Sequence, residues 1–174
     1  QMCIRDSYSS EIIAPNQADG VASDADPVVA YTVDFSEPVS GIGGGDIDVE
    51  GGTLVPGTVH LSDDGLQATF EVQASDESET DLVVTVMDSV TDLHGNALVV
   101  SSSDPVTVDT VNPGVSVSDD QDGIAFDGEN VVTYTLSFSE PVQSVTETDL
   151  TVTGAEGYTV SHTPDTATAS VTVT

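Results

Sequence analysis

VVAYTVDFSEPVSGIGGGDIDVEGG, residues 28 to 52, returns as VVTYTLSFSEPVQSVTETDLTVTGA at residues 131 to 155, without gaps and with 12 identities in 25 positions. A fixed period of this kind decides architecture before any local reading does. The offset is 103 residues, and it extends outward in both directions. Upstream, Asp19-Gly20-Val21 falls on Asp122-Gly123-Ile124, and downstream Ala68 to Val72 falls on Ala169 to Val173 after a deletion of two residues. The chain therefore reads as about one and two-thirds copies of one unit, the second copy without its last third. Inside the quoted stretch, Val29, Tyr31, Val33 and Phe35 alternate with Ala30, Thr32 and Asp34. That period of two makes a strand with one apolar face. Ile47 and Val49 alternate with acidic residues in the same way, and Leu66, Ala68, Phe70 and Val72 form a further strand after an Asp64-Gly65 hairpin signal. Leu82 to Met87, Ala97 to Val100 and a stretch through Val106 and Val108 complete about seven strands. Short, evenly spaced strands with no helical period predict an all-β sandwich. Pro38 and Pro141, which cannot donate to a ladder, are expected at strand ends or edges.

Composition agrees with that pattern. The 174 residues include 28 Val, 21 Thr and 20 Ser, with no Trp and eight Phe and Tyr together. β-branched side chains fit a pleated surface better than a helix. Against 31 Asp and Glu stands one Lys or Arg, for a net charge of −30. Nucleic acid and anionic membranes are poor partners for such a chain, since both are bound by Lys and Arg. No apolar run approaches a membrane span. Arg5, the single Cys (Cys3) and Met2 all lie in the opening QMCIRDS. Residues 1 to 7 resemble translated adapter or read-through sequence and are set aside from the fold; the alternative is a genuine segment with a free thiol. From residue 8 onward there is no Lys or Arg at all. A lone Cys makes no intrachain disulfide. The expected organisation is a sandwich over 8 to 109, a short stiff linker over 110 to 114 and an incomplete second sandwich over 115 to 174.

FSEPV at 35 to 39 and 138 to 142, Asp46 and Asp149 each followed by a Val and a Gly, TDLHGNAL at 91 to 98 and VDTVNP at 108 to 113 together resemble the bacterial Ig-like repeats of large surface and secreted proteins. The resemblance covers residues 8 to 174. It implies tandem Ig-like antiparallel β-sandwiches, extender domains of adhesin-type proteins at a bacterial cell surface, and Ca²⁺ at or near domain junctions. The partners it implies are the neighbouring Ig-like repeats of the same chain.

Catalytic chemistry finds little support. His60, His94 and His162 are scattered, and no Gly-x-Ser-x-Gly elbow is present. His60 and His162 fall one residue out of register between the copies and read as a repeated strand residue. Clustered His or Cys for zinc are absent. Ca²⁺ is different, because it takes six to eight oxygens from carboxylates, carbonyls and Asn, and here no basic side chain competes for them. One candidate cluster is the junction, with Asp104, Asp109 and Asn112 near the linker and Glu37, Glu140 and the Asp92 to Asn96 turn approaching from their domains. A second is the loop from Ser118 through Asp120, Asp122 and Gly123 to Glu129, which matches most of an EF-hand loop but has Ser at its first position and strand-like flanks. The run Asp76 to Asp81 reads as a solvated loop.

The expected function is a non-enzymatic, extracellular spacer or stalk repeat, with Ca²⁺ as the cation expected to stiffen its junctions. Its alternative is an accessory or carbohydrate-binding module of a secreted enzyme, which would need exposed aromatic rings.

Overall fold

A computed structural model describes residues 10 to 13, 20 to 121 and 131 to 174. Among them there is no α-helix, and the chain divides into two compact units between Val111 and Asn112.

The described residues of the first unit form ten short strands: β1 (Ser10–Ile13), β2 (Val21–Ser23), β3 (Val28–Phe35), β4 (Ile47–Glu50), β5 (Gly52–Leu54), β6 (His60–Leu61), β7 (Gln67–Ala74), β8 (Val83–Val86), β9 (Ser101–Ser102) and β10 (Thr107–Asp109). One sheet runs β1-β3-β7-β5, with β6 also on β7. The other is built from β4-β8-β9 and from β10 paired in parallel with β2, the two ladders being joined by the Leu82–Val106 bridge. Alternation puts Val29, Tyr31, Val33 and Phe35 of β3 and Ala68, Phe70 and Val72 of β7 on one inner face. Leu82, Val84 and Val86 and then Val106 and Val108 meet them from the other sheet, and together they form a single core of eighteen buried apolar residues. Tyr31 stacks on Phe70 with centroids 5.7 Å apart and planes 11° from parallel. Its buried hydroxyl has no partner among the described residues, and burial pushes its pKa up to about 12.

The change of sheet between β4 and β5 hinges on Gly51. Its φ is +77°, and a Cβ there would stand 2.3 Å from the Asp81 carbonyl oxygen and 2.6 Å from that of Thr80. Only glycine combines left-handed backbone with such an approach. The Asp64-Gly65 signal is a β6–β7 hairpin: Gly65 has φ +72°, the Ser62 and Gln67 backbones are bonded, and Asp64 accepts from Ser62 Oγ and Leu66 N.

The second unit repeats the first sheet, register for register, as β11 (Val115–Asp119), β12 (Val132–Val142), β13 (Tyr158–His162) and β14 (Thr166–Val173) in the order β11-β12-β14-β13. Val132, Tyr134 and Leu136 face Val173, Val171 and Ala169, as Val29, Tyr31 and Val33 face Val72, Phe70 and Ala68. The deletion lies before the hairpin: Leu61–Ala68 and His162–Ala169 each enclose six residues, whereas six residues separate Leu54 from Leu61 and only three separate Tyr158 from His162. His162 consequently takes the register of Leu61, not of His60. Among the described residues no second sheet covers this unit, and its buried core is Leu136, Ala169 and Val171.

Three local expectations change. Residues 97 to 100 are not a strand but a connection, held by the Thr91–Ala97 bridge and leading to β9, with Leu98 buried in the core and Ala97, Val99 and Val100 exposed. Pro38 does follow the end of β3, whereas Pro141 lies within β12, where the register shifts between Ser137 and Val142. Thr110, placed in the linker by sequence, is anchored in the first unit. Only 2% exposed, it donates through Oγ1 to the carbonyls of Ser75 (2.7 Å) and Ser78 (3.1 Å) and accepts from Ser78 N (2.9 Å).

Candidate functional site

Strand direction sorts the predicted Ca²⁺ ligands of the first unit to two poles. β1 begins beside Phe35, the last residue of β3, so the chain enters where β3 ends and β7 begins. β10 instead runs towards the pole where β7 ends, and Thr110 docks there on Ser75 and Ser78. Eight-residue strands separate the poles by roughly 25 Å.

Glu37 and the Asp92 to Asn96 turn lie at the N-terminal pole, where Asp92 bridges to Val39. Asp109 closes β10 at the C-terminal pole, and Asp104 is exposed between β9 and β10. The expectation that Glu37, Asp92 and Asn96 approach the same junction as Asp109 does not hold within the first unit: an even number of strand reversals separates β3 from the Asp92 turn, which returns it to Glu37's end. Counting those reversals in the sequence would have revealed this.

The turn is also chemically closed. Asp92 is 3% exposed; its Oδ1 accepts from the backbone N–H of His94 (2.8 Å) and Asn96 (2.7 Å), and its Oδ2 accepts from Asn96 Nδ2 (2.7 Å). Gly95 at φ +84° lets the chain turn back, so that Asp92 N donates to the Asn96 carbonyl. The Asn96 side chain, with the two backbone N–H groups and His94, holds the Asp92 carboxyl below the usual range. Every strong donor in reach is aimed at the carboxylate that a cation would need. This donor set fits a self-sealed turn and does not fit a metal site.

In the second unit Glu140 follows Ser139, whose backbone N–H donates to the Gly114 carbonyl and whose Oγ accepts from Gly114 N, so Glu140 stands at the pole where the chain enters. Asn112 is exposed two residues before Gly114. Asp120 lies at the other pole, beyond the Asp119–Tyr134 pair, and its Oδ1 accepts from Thr133 N (3.0 Å), which ties off the β11–β12 ladder. Asp122 and Glu129 lie outside the described residues. Among the described residues, no three His, Cys, Asp or Glu side chains gather closely enough to hold a metal ion.

Two structural roles went unread in the sequence. Asp46 takes the N–H of Gly43 on Oδ2 (2.8 Å) and the Ser89 hydroxyl on Oδ1 (2.6 Å), while Asp149 takes Thr146 N and Oγ1 at the repeated position. The paired Asp46 and Asp149 of the repeat are thus turn-closing residues. Each sits three residues after the group it caps, which is the signal that could have identified them.

Two facing sheets, with β1 on one and β2 crossing to pair in parallel with β10 on the other, define an Ig-like β-sandwich. Residues 17 to 108 match the family described as the bacterial Ig-like domain, and the chain belongs to that family. Such domains are typically non-catalytic and commonly serve as structural, extracellular modules. No curated protein matches the chain. No helix among the described residues is long and apolar enough to cross a membrane.

Proposed function

We propose that the chain is a spacer repeat of a large extracellular, adhesin-type bacterial protein, a segment of a stalk that carries a binding module away from the cell. The observation that carries this reading is the path of the first unit, which the chain enters at one pole and leaves at the other. Thr110 fixes the exit, and only Val111, Asn112 and Pro113 remain before Gly114 pairs with Ser139. A unit of this kind adds its length to a string, and Pro113 limits slack in the connection.

Ca²⁺ at the junction belongs to the same proposal in a narrower form. Asp109, Asn112 and Glu140 are the members of the predicted set that flank the connection along the chain; the Asp92 turn is not among them. The test is thermal unfolding of the 174-residue protein together with small-angle scattering of a tandem pair. Stoichiometric binding raises Tm and stiffens the pair at micromolar to millimolar Ca²⁺, with no comparable effect of Mg²⁺. Charge screening alone needs far more salt, of any kind. A response to NaCl and none to Ca²⁺ up to several millimolar rules out the metal; a tandem pair that bends freely under every condition rules out the spacer. Among the described aromatic residues nothing favours the carbohydrate-binding alternative, since Tyr31, Phe35 and Phe70 are buried and Tyr134, Phe138 and Tyr158 half-buried.

A further inference from the structure

The sheet that the two units share turns one face inward and the other to solvent, and the outward faces differ in chemistry. In the second unit the outward positions are every other residue of 116–118, 133–137, 159–161 and 168–172, and all ten are Ser or Thr. Ser118, Thr135, Ser170 and Ser161 form the central row, one from each strand. Strand preference does not account for this, since five of the ten are Ser, which is not among the residues enriched in strands. The equivalent rows of the first unit hold Glu11, Asp34 and Glu71, and β4 presents Asp48 and Glu50 outward from the other sheet. Among the described residues, the hydroxyl face is thus the outward sheet face without a carboxylate. The same side of the sheet is outward in the closed first unit, so it is not the side on which a second sheet packs.

We propose that this face is an interaction surface for a second copy of the same chain, packed sheet against sheet about a two-fold axis. Each hydroxyl donates one hydrogen bond and accepts two, so an array of them is complementary to itself without opposite charges or a keyed pocket. Ser116 Oγ donates to the Ser137 carbonyl at 3.3 Å, and the other nine hydroxyls make no hydrogen bond within the described residues. Charge selects the place: two copies of net charge −30 repel one another, and least where no carboxylate faces the partner. Twist selects the occupant. Two sheets of the same hand pack face to face at about −30°, whereas a flat mineral or ice lattice cannot follow strands that turn by roughly 60–75° across the four. Nor does the face offer an aromatic ring on which a sugar could stack. Area sets the strength. Strands about 4.8 Å apart and rows about 6.8 Å apart cover roughly 400 Å² per copy, about half of what a stable interface buries on each side, so the association is weak and needs concentrated protein.

Sedimentation equilibrium of the 174-residue protein up to millimolar concentration tests this. In about 1 M NaCl, where the Debye length is about 3 Å, the average mass should rise from 17.8 kDa towards twice that value. In about 0.01 M NaCl, where it is about 30 Å, the protein should remain a monomer. Thr135→Asp combined with Ser170→Asp should weaken the association at least about tenfold, while Thr32→Asp, at the position of the first unit that matches Thr135, should leave it unchanged. Should the paired Asp variant unfold, a covalent reading replaces it: in a Cys3→Ser background, air oxidation should give a disulfide-linked dimer of Thr135→Cys much faster than of Thr32→Cys. A protein that stays monomeric at millimolar concentration in high salt overturns the proposal, as do equal oxidation rates of the two Cys variants. So does association that survives the outward Asp pair and disappears with Val117→Asp, since Val117 lies on the opposite face. Binding to a neutral glucan that the Asp pair abolishes, without self-association, assigns the face to a glycan and overturns it as well.

Discussion

The two units carry the same strand with equivalent cross-strand partners, and among the described residues one is a closed sandwich while the other is a single sheet. Among the described residues, eighteen apolar side chains are buried in the core of the first against three in the second. Val117 of β11 is 61% exposed, although the strand that presents it is fully paired with β12. Hydrogen-bonded ladders therefore set which residues face inward without making an interior. The interior depends on a second apolar layer, since the hydrophobic gain follows area removed from water.

The largest expected contrast lies at the paired glycines. Gly51→Ala forces a methyl onto the Asp81 and Thr80 carbonyls and should cost the first unit more than about 4 kcal/mol, whereas Gly154→Ala meets open space and should cost only the left-handed backbone penalty of about 1–2 kcal/mol. Chemical denaturation of the two variants, read separately for each unit, measures the difference. Next comes Thr110→Val, which keeps the shape and strips Ser75 and Ser78 of a buried donor and Ser78 N of its acceptor. A loss of about 2–3 kcal/mol from the first unit alone is expected. Equal loss in both units would mean that the linker, and not the pole, is what Thr110 holds.

Acid should separate the units more gently. Asp92 and Asp64 have lowered folded pKa values, so the stability they contribute is present above the unfolded value near 3.9 and disappears as pH falls through the folded one. The Tm of the first unit should therefore drop as pH falls below the unfolded value, and Asp92→Asn should be less stable at pH 6 while losing less on acidification. Asp149 gives the second unit a component of the same sign through Thr146. Smallest of all is Tyr31→Phe, which removes a buried hydroxyl without a partner among the described residues and should leave the first unit unchanged or stabilise it by up to about 1 kcal/mol. Tyr134→Phe in the open unit should be neutral. Calorimetry distinguishes the two.

Much of this architecture could be read from residues. The alternation in 28 to 35, the Asp64-Gly65 hairpin and the 103-residue repeat are local or periodic signals, and each survives in the fold. The candidate site was harder, because carboxylates are so abundant that closeness in sequence says little about closeness in space. Asp92 looked like a metal ligand, yet the donors surrounding it come from its own turn, in a geometry set by Gly95 and Asn96. Thr110 looked like linker because its three partners lie more than thirty residues earlier, a separation no local pattern reports. Pro141 looked like a strand end because its neutral effect depends on the irregular register beside it.

The parallel pairing of β2 with β10 has a mechanical consequence. The two strands run the same way, yet one follows the point where the chain enters the domain and the other leads to the point where it leaves. Tension applied along the chain pulls them in opposite directions along their own axes. The bonds from Val21, Ala22 and Ser23 to Thr107, Val108 and Asp109 then carry the load side by side and must yield together. β1 against β3 is loaded in the same sense, with Ser10 drawn past Phe35. Rupture by sliding, not by peeling one bond at a time, is the failure mode that this strand order imposes.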